Sequence, residues 1–190
     1  PWFSATALLH TAMIQRRFGA LPRTNVFLAS LTLLLCIFAT YLVRSGVVES
    51  LHAFGEGGVG RPLILAISFG VAVSLAVASA RPRGQSAALP VLGSRQGMIV
   101  LLVWLLVALG VVVLLGTIWP VISQLWESKP KGVNQAFYNT ICLPLFTGMA
   151  MLLAVAPWLG WRGGLWKPKV ALIPVAAWAC VVGVGVGLGI

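Results

Sequence analysis

The sequence predicts an all-α fold, a polytopic transmembrane helix bundle. Two observations carry that prediction. Of 190 residues, 59% are apolar and only 8% are charged, where a soluble domain has about 25% charged residues. The chain also divides into long runs free of Asp, Glu, Lys and Arg, namely 1–15, 24–43, 62–80, 96–126, 132–161 and 170–190. A hydrocarbon core of about 30 Å takes roughly 20 residues of helix, so five of these runs are long enough to cross it. This composition excludes a disordered chain, a small disulfide scaffold and an ordinary cytosolic enzyme. A net charge of +10 would suit nucleic acid if it were clustered. Here the basic residues stand in small groups between apolar runs, as loops at a membrane surface do. The implied partner is a lipid bilayer, and no nucleic acid is expected.

The first run reaches only about 22 Å as a helix. It opens at Pro1 with no initiator Met and no basic leader. Residues 1–14 therefore read as the end of a truncated span, followed by five full ones. The chain is expected to be cut at both ends, with 1–190 forming part of a single transmembrane helical domain. Loop charges give the orientation. Arg16, Arg17, Arg23, Arg81, Arg83, Arg95, Arg162, Lys167 and Lys169 fall in the odd-numbered loops, and only Arg44, Arg61, Lys129 and Lys131 in the even ones. The positive-inside rule puts the odd loops in the cytoplasm. Trp119, Trp126, Trp158, Trp161 and Trp166 sit near the span ends, as interfacial aromatic belts do.

Cys36, Cys142 and Cys180 lie on three different spans without metal-ligand spacing, and buried free cysteine commonly packs as a small hydrophobe. Gly183, Gly185, Gly187 and Gly189 form two overlapping small-xxx-small patterns, a device for close helix approach. The loop from Gly55 to Gly60 matches G-x-G-x-x-G, but the dinucleotide fingerprint requires a strand before it and a helix after it in a βαβ unit. With three Glu and no Asp, a hydrolase centre is hard to assemble.

Only two histidines occur. His10 lies within an apolar helix, where an imidazole is costly unless partnered. His52 lies in the second loop, on the extracytoplasmic side. A helix spanning the membrane separates them, so they differ in depth by some 20–25 Å and cannot share one metal ion. Each has an ordinary alternative: an interhelical hydrogen bond for His10, a solvated loop position for His52. Arg44 is placed either to meet a carboxylate or to snorkel as an interfacial anchor.

The segment from Thr40 to Phe54, containing Arg44-Ser45-Gly46-Val47 and His52-Ala53-Phe54, resembles the T-x-L-x-R-S-G-V-x-x-S-x-H-A-F block of the CcmF family, the haem lyase subunits of bacterial cytochrome c maturation. Weaker blocks follow the same order. Pro1-Trp2 with Ala5 to His10 is similar to the stretch after that family's tryptophan-rich signature. Leu115-Gly116-Thr117-Ile118-Trp119-Pro120 is similar to its L-G-T-x-x-P block. Phe137-Tyr138-Asn139 with Leu143-Pro144-Leu145 is similar to a further segment, although Ala136 stands where a proline is expected.

The resemblance implies that His10 is an axial ligand of a resident b-type haem and that His52 helps hold a haem delivered by a haem chaperone. Arg44 would then stand near a haem propionate. It implies covalent attachment of haem to the Cys-x-x-Cys-His motif of apocytochrome c, with an apocytochrome-binding subunit as a further partner, in the bacterial inner membrane. The second ligand of each haem would come from outside these residues. A membrane scaffold or a small-molecule permease segment without haem chemistry is the alternative.

Overall fold

A computed structural model describes residues 1–45, 58–80, 91–126, 131–162 and 168–188. They form helices α1 (Trp2–Phe18), α2 (Pro22–Arg44), α3 (Gly60–Ala80), α4 (Arg95–Ser123), α5 (Gln135–Val155) and α6 (Pro168–Leu188), with a short 3-10 turn at Ala156–Trp158 after α5. The fold is all-α as expected. Four helices, Pro22–Arg44, Gly60–Ala80, Arg95–Ser123 and Gln135–Trp158, are long and apolar enough to cross a membrane. The fifth expected span, α6, forms a helix of 21 residues, of which Ala176–Gly185 is the apolar stretch among the described residues.

Local sequence sets the helix ends. Gly19 closes α1 in the left-handed conformation (φ 69°), its N–H donating to the Gln15 carbonyl at 2.8 Å, the usual glycine stop. Leu21 is also left-handed (φ 64°), which costs a branched residue about 1–2 kcal/mol. Pro22 then starts α2 where its missing N–H does no harm. Ser94 caps α4 by accepting from the Gly97 N–H at 3.1 Å, and Asn134 caps α5 by accepting from the Phe137 N–H at 3.0 Å.

The packing order differs from the chain order. Among the described residues the helices touch in the row α3, α2, α1, α4, α5, α6, so the bundle is open and the first helix stands in its middle. The reason lies on α1. Ser4, Ala7, Thr11 and Ile14 are buried at spacings that share one face, and short side chains let neighbouring backbones close in without a hydrophobic driving force. Ala7 meets Leu28 of α2 and Leu102, Val103 and Leu106 of α4 in the main core. Polar ties fix the antiparallel register of α1 and α2. The Thr32 hydroxyl donates to the Ser4 hydroxyl oxygen at 3.0 Å, and the Asn25 amide donates to Gln15 Oε1.

Two of the motif blocks meet at the α4–α5 crossing. A methyl group on Gly116 would collide with the ring and hydroxyl of Tyr138, so the glycine is what admits the tyrosine. The glycine stripe of α6 behaves differently. Nothing lies within 4 Å of a Cβ built on Gly183 or Gly187, so the close approach expected there is absent among the described residues. Gly97 is crowded by backbone instead of a side chain. A Cβ there would meet the Val91 carbonyl oxygen and the Leu92 Cα at 2.7 Å, and these are backbone atoms. Gly97→Ala is expected to destabilise the protein by about 1–3 kcal/mol, read as an earlier unfolding midpoint in detergent. An unchanged midpoint would show that the 91–94 turn yields freely.

Candidate functional site

His10 sits in the third turn of α1, flanking the buried face rather than on it, and is half-buried. Its Nδ1 lies 2.8 Å from the Thr6 carbonyl oxygen, one turn back. A carbonyl only accepts, so Nδ1 is the donor in this contact and Nε2 is the nitrogen left over. This is how metal-binding histidines are commonly set, with one ring nitrogen tied to a carbonyl and the other left to ligate.

His10 lines an open cavity of about 330 Å³ formed by α1, α4, the end of α5 and the turn after it. Met13, Met98, Ile99, Leu102, Leu152 and Leu153 form apolar walls, and Arg95, Pro157 and Trp161 lie at one end. The shape follows from the breakdown of α5. With Pro157 in the way the helix gives over to a 3-10 turn, which brings Trp161 back over the start of α4. Arg95 holds this fold-back. Its Nε donates to the Ala156 carbonyl at 3.2 Å, another guanidinium N–H donates to the Pro157 carbonyl, and its backbone N–H donates to the Gly160 carbonyl at 2.9 Å.

Trp161 carries two guanidinium groups. Arg17 lies 4.4 Å and Arg95 5.0 Å from its ring centroid, and Phe18 packs beside it with centroids 5.8 Å apart, all within cation–π and aromatic range. Sequence reasoning placed Arg17 and Arg95 only as loop charges and Trp161 only as a belt residue. Sixty or more residues separate Trp161 from the Arg95 it meets, and no local pattern signals the pairing.

His10 and Arg44, the two expected site residues among the described ones, stand far apart. The α1–α2 register places His10 level with the turn around Leu28, and Arg44 stands sixteen residues further along α2, roughly 24 Å away at 1.5 Å per residue. Arg44 is exposed in the last turn of α2, at the end from which the segment carrying His52 departs. His52 lies outside the described residues, as do Glu49, Glu56 and Glu127. Among the described residues no cluster of three or more His, Cys, Asp or Glu exists that could hold a metal ion alone. His10 would have to share an ion with a ligand from elsewhere or with an organic group. A larger groove of about 800 Å³ between α2 and α3 is lined by apolar side chains, three serines and Arg23, and offers no metal ligand.

The donor set fits a haem. One imidazole is available as a ligand, the surrounding walls are apolar, and a cationic end suits carboxylates. The cavity alone encloses only part of such a group.

No protein-family model matches the chain, and no solved structure matches it. Curated relatives do. The chain is 35% identical over 167 residues to the cytochrome c-type biogenesis protein CycK of Bradyrhizobium diazoefficiens, covering 86% of this chain and 25% of the relative. It is 34% identical over 178 residues to the cytochrome c-type biogenesis protein ccl1 of Rhodobacter capsulatus, covering 92% and 27%. It is 32% identical over 163 residues to the cytochrome c-type biogenesis protein CcmF of Escherichia coli, covering 85% and 25%. The chain thus spans about a quarter of the length of the relatives it matches.

Proposed function

Because this multi-pass membrane chain belongs, as a segment, to the CcmF family of cytochrome c-type biogenesis proteins, we propose that it forms part of the membrane core of a haem lyase in the bacterial inner membrane. In this reading His10 is an axial ligand of a resident b-type haem. The loop bearing His52, with Arg44 beside it, receives a second haem as substrate from a chaperone on the periplasmic side. That haem is joined through its vinyl groups to the cysteine thiols of a Cys-x-x-Cys-His motif in apocytochrome c, which a partner subunit presents.

The observation that carries the reading is the contact of the His10 ring with the Thr6 carbonyl beside an apolar cavity. The Thr6 carbonyl, 2.8 Å from Nδ1, accepts the hydrogen on that nitrogen, so Nε2 is the ring nitrogen left to face a ligand. A bound haem supplies a one-electron couple whose potential follows from its ligands and burial. The chain's own residues do the rest. Leu102, Leu152 and Leu153 give the cavity an apolar lining beside His10, and the Thr6 contact restrains the ring. The α1–α2 register sets His10 well below the described end of α2, which supports giving the two histidines separate roles: His10 would hold a resident haem and His52 would help hold a delivered one.

The test is optical. The full-length protein, purified from membranes in detergent, is expected to show a b-type absorbance spectrum that sharpens on reduction. A colourless preparation that still supports cytochrome c assembly would overturn the resident-haem reading.

A further inference from the structure

We propose that the groove between α2 and α3 holds an anionic phospholipid of the surrounding bilayer, with an acyl chain between the helices and its phosphate on the Arg23 guanidinium. Neither His10 nor a haem enters this inference, which needs only that the chain crosses the membrane.

The groove comes from the way the two helices part. A Cβ added to Gly60 would lie 3.5 Å from the Ser45 Cβ, and one added to Gly70 would lie 2.9 Å from Leu34 Cδ2. The helices therefore run close together from the Arg44 end of α2 to its middle. Beyond Gly70 they diverge toward the Arg23 end, where a groove of about 800 Å³ opens between them, a size at which ligands are held. Leu34 and Arg23 are eleven residues apart, about 16 Å of helix. That is roughly half of a hydrocarbon core of about 30 Å, so the groove is as deep as one leaflet.

Its lining sorts by depth. Phe27, Leu31, Leu34, Val71 and Leu75 supply apolar walls, and Phe27 and Leu75 are exposed, so the slot opens outward on its lipid side. The serines of α3 add little polarity. The Ser74 hydroxyl donates to the Gly70 carbonyl at 2.6 Å and the Ser79 hydroxyl to the Ala76 carbonyl at 2.9 Å, which uses both hydrogens within their own helix. A hydrocarbon chain loses nothing there, whereas a polar solute would be desolvated with little return.

The charged residue of the groove stands at its mouth. Arg23 is in the first turn of α2 and exposed. Among the described residues there is no carboxylate side chain, and the three Glu belong to segments that leave from the opposite ends of α2 and α4. The complementary charge available at the Arg23 end is then the bilayer's own phosphate, to which a guanidinium presents its fork of donors. On the orientation expected from the loop charges this is the cytoplasmic leaflet, where anionic lipid gathers against basic side chains.

The experiment presents the full-length protein in detergent with equal amounts of phosphatidylglycerol and phosphatidylcholine of identical chains and counts the lipids retained by native mass spectrometry. Wild type is expected to favour phosphatidylglycerol roughly fivefold, the scale of one arginine acting on an anionic headgroup. In Arg23→Gln the ratio should fall toward one. Arg16→Gln, which removes an exposed charge at the same membrane face but off the groove, should leave it within about a factor of two of wild type. Ala78→Phe places a ring in the groove at an exposed position and should lower retention of both lipids. Equal retention of the two lipids by wild type would overturn the proposal, and so would an equal loss of preference in Arg16→Gln and Arg23→Gln, which would assign it to general surface charge. Unchanged retention in Ala78→Phe would also overturn it, since another helix of the full chain would then cover the groove.

Discussion

The His10→Ala variant of the full-length protein is expected to insert normally and to lose at least about tenfold of its b-type haem content. The argument has two halves. Removing the ring removes the only imidazole in a cavity whose other side chains are apolar, apart from Arg95 and Trp161. Met13 and Met98 bring thioethers, but these are soft, weakly basic sulfurs that do not replace a nitrogen ligand in kind. The loss of fold stability should be small. The Thr6 carbonyl that His10 engages belongs to its own helix, so breaking that contact costs no more than about 1 kcal/mol, and the ring is only half-buried. Haem loss without protein loss is therefore the signature. It is read as the ratio of Soret to protein absorbance in preparations matched for membrane abundance. Haem content within about a factor of two of wild type would remove His10 from the iron. Loss of the protein itself would instead give the histidine a packing role, which the geometry argues against.

The different fates of α1, α6 and Arg95 show how far sequence reasoning reaches. Spans were legible because the bilayer imposes a length and forbids charge, and both conditions are written into single runs of residues. Neighbour relations were not. In lipid every helix face is apolar, so hydropathy marks no inner side. Ser4, Ala7, Thr11 and Ile14 do carry a signal, three of the four being short side chains on one face, and this face is the one that both α2 and α4 cover. The equivalent glycines of α6 carry the same signal, and nothing in the described residues meets Gly183 or Gly187. Small residues state what approach a helix permits, and the partner decides whether it happens.

The candidate site was legible in part for the same reason. A histidine in an apolar run stands out because its cost demands a cause. An arginine at a span end does not, since interfacial charge is ordinary there. Arg95 thus passed as a topology marker, although its side chain binds two carbonyls of the turn after α5 and its charge rests on Trp161. Its partners lie more than sixty residues downstream, and only the fold brings them into register.

His52→Ala is expected to keep the resident haem and to abolish covalent haem attachment, a separation that follows from the length of α2. The register set by Ser4 with Thr32 and by Gln15 with Asn25 puts His10 near Leu28, and α2 continues unbroken to Arg44. The segment carrying His52 leaves from that far end, roughly 24 Å of helix beyond the His10 level. On the reading that His52 serves a delivered haem and His10 a resident one, the b-type spectrum should match wild type. Assembly should suffer because a delivered haem without an axial ligand is neither held nor oriented, and orientation supplies much of the rate of a reaction between bound partners. Haem staining of denatured cytochrome c from cells carrying the variant should fall at least about tenfold, and added imidazole, which can occupy the vacated coordination position, should restore part of it. The pair of variants then reads as a cross: His10→Ala loses colour, while His52→Ala keeps colour and loses product. If His52→Ala assembled cytochrome c at the wild-type level, the loop histidine would be an ordinary solvated residue and the two-haem division of labour would have to be abandoned. If it lost the resident haem instead, the two histidines would serve one site and the separate roles proposed for them would fall.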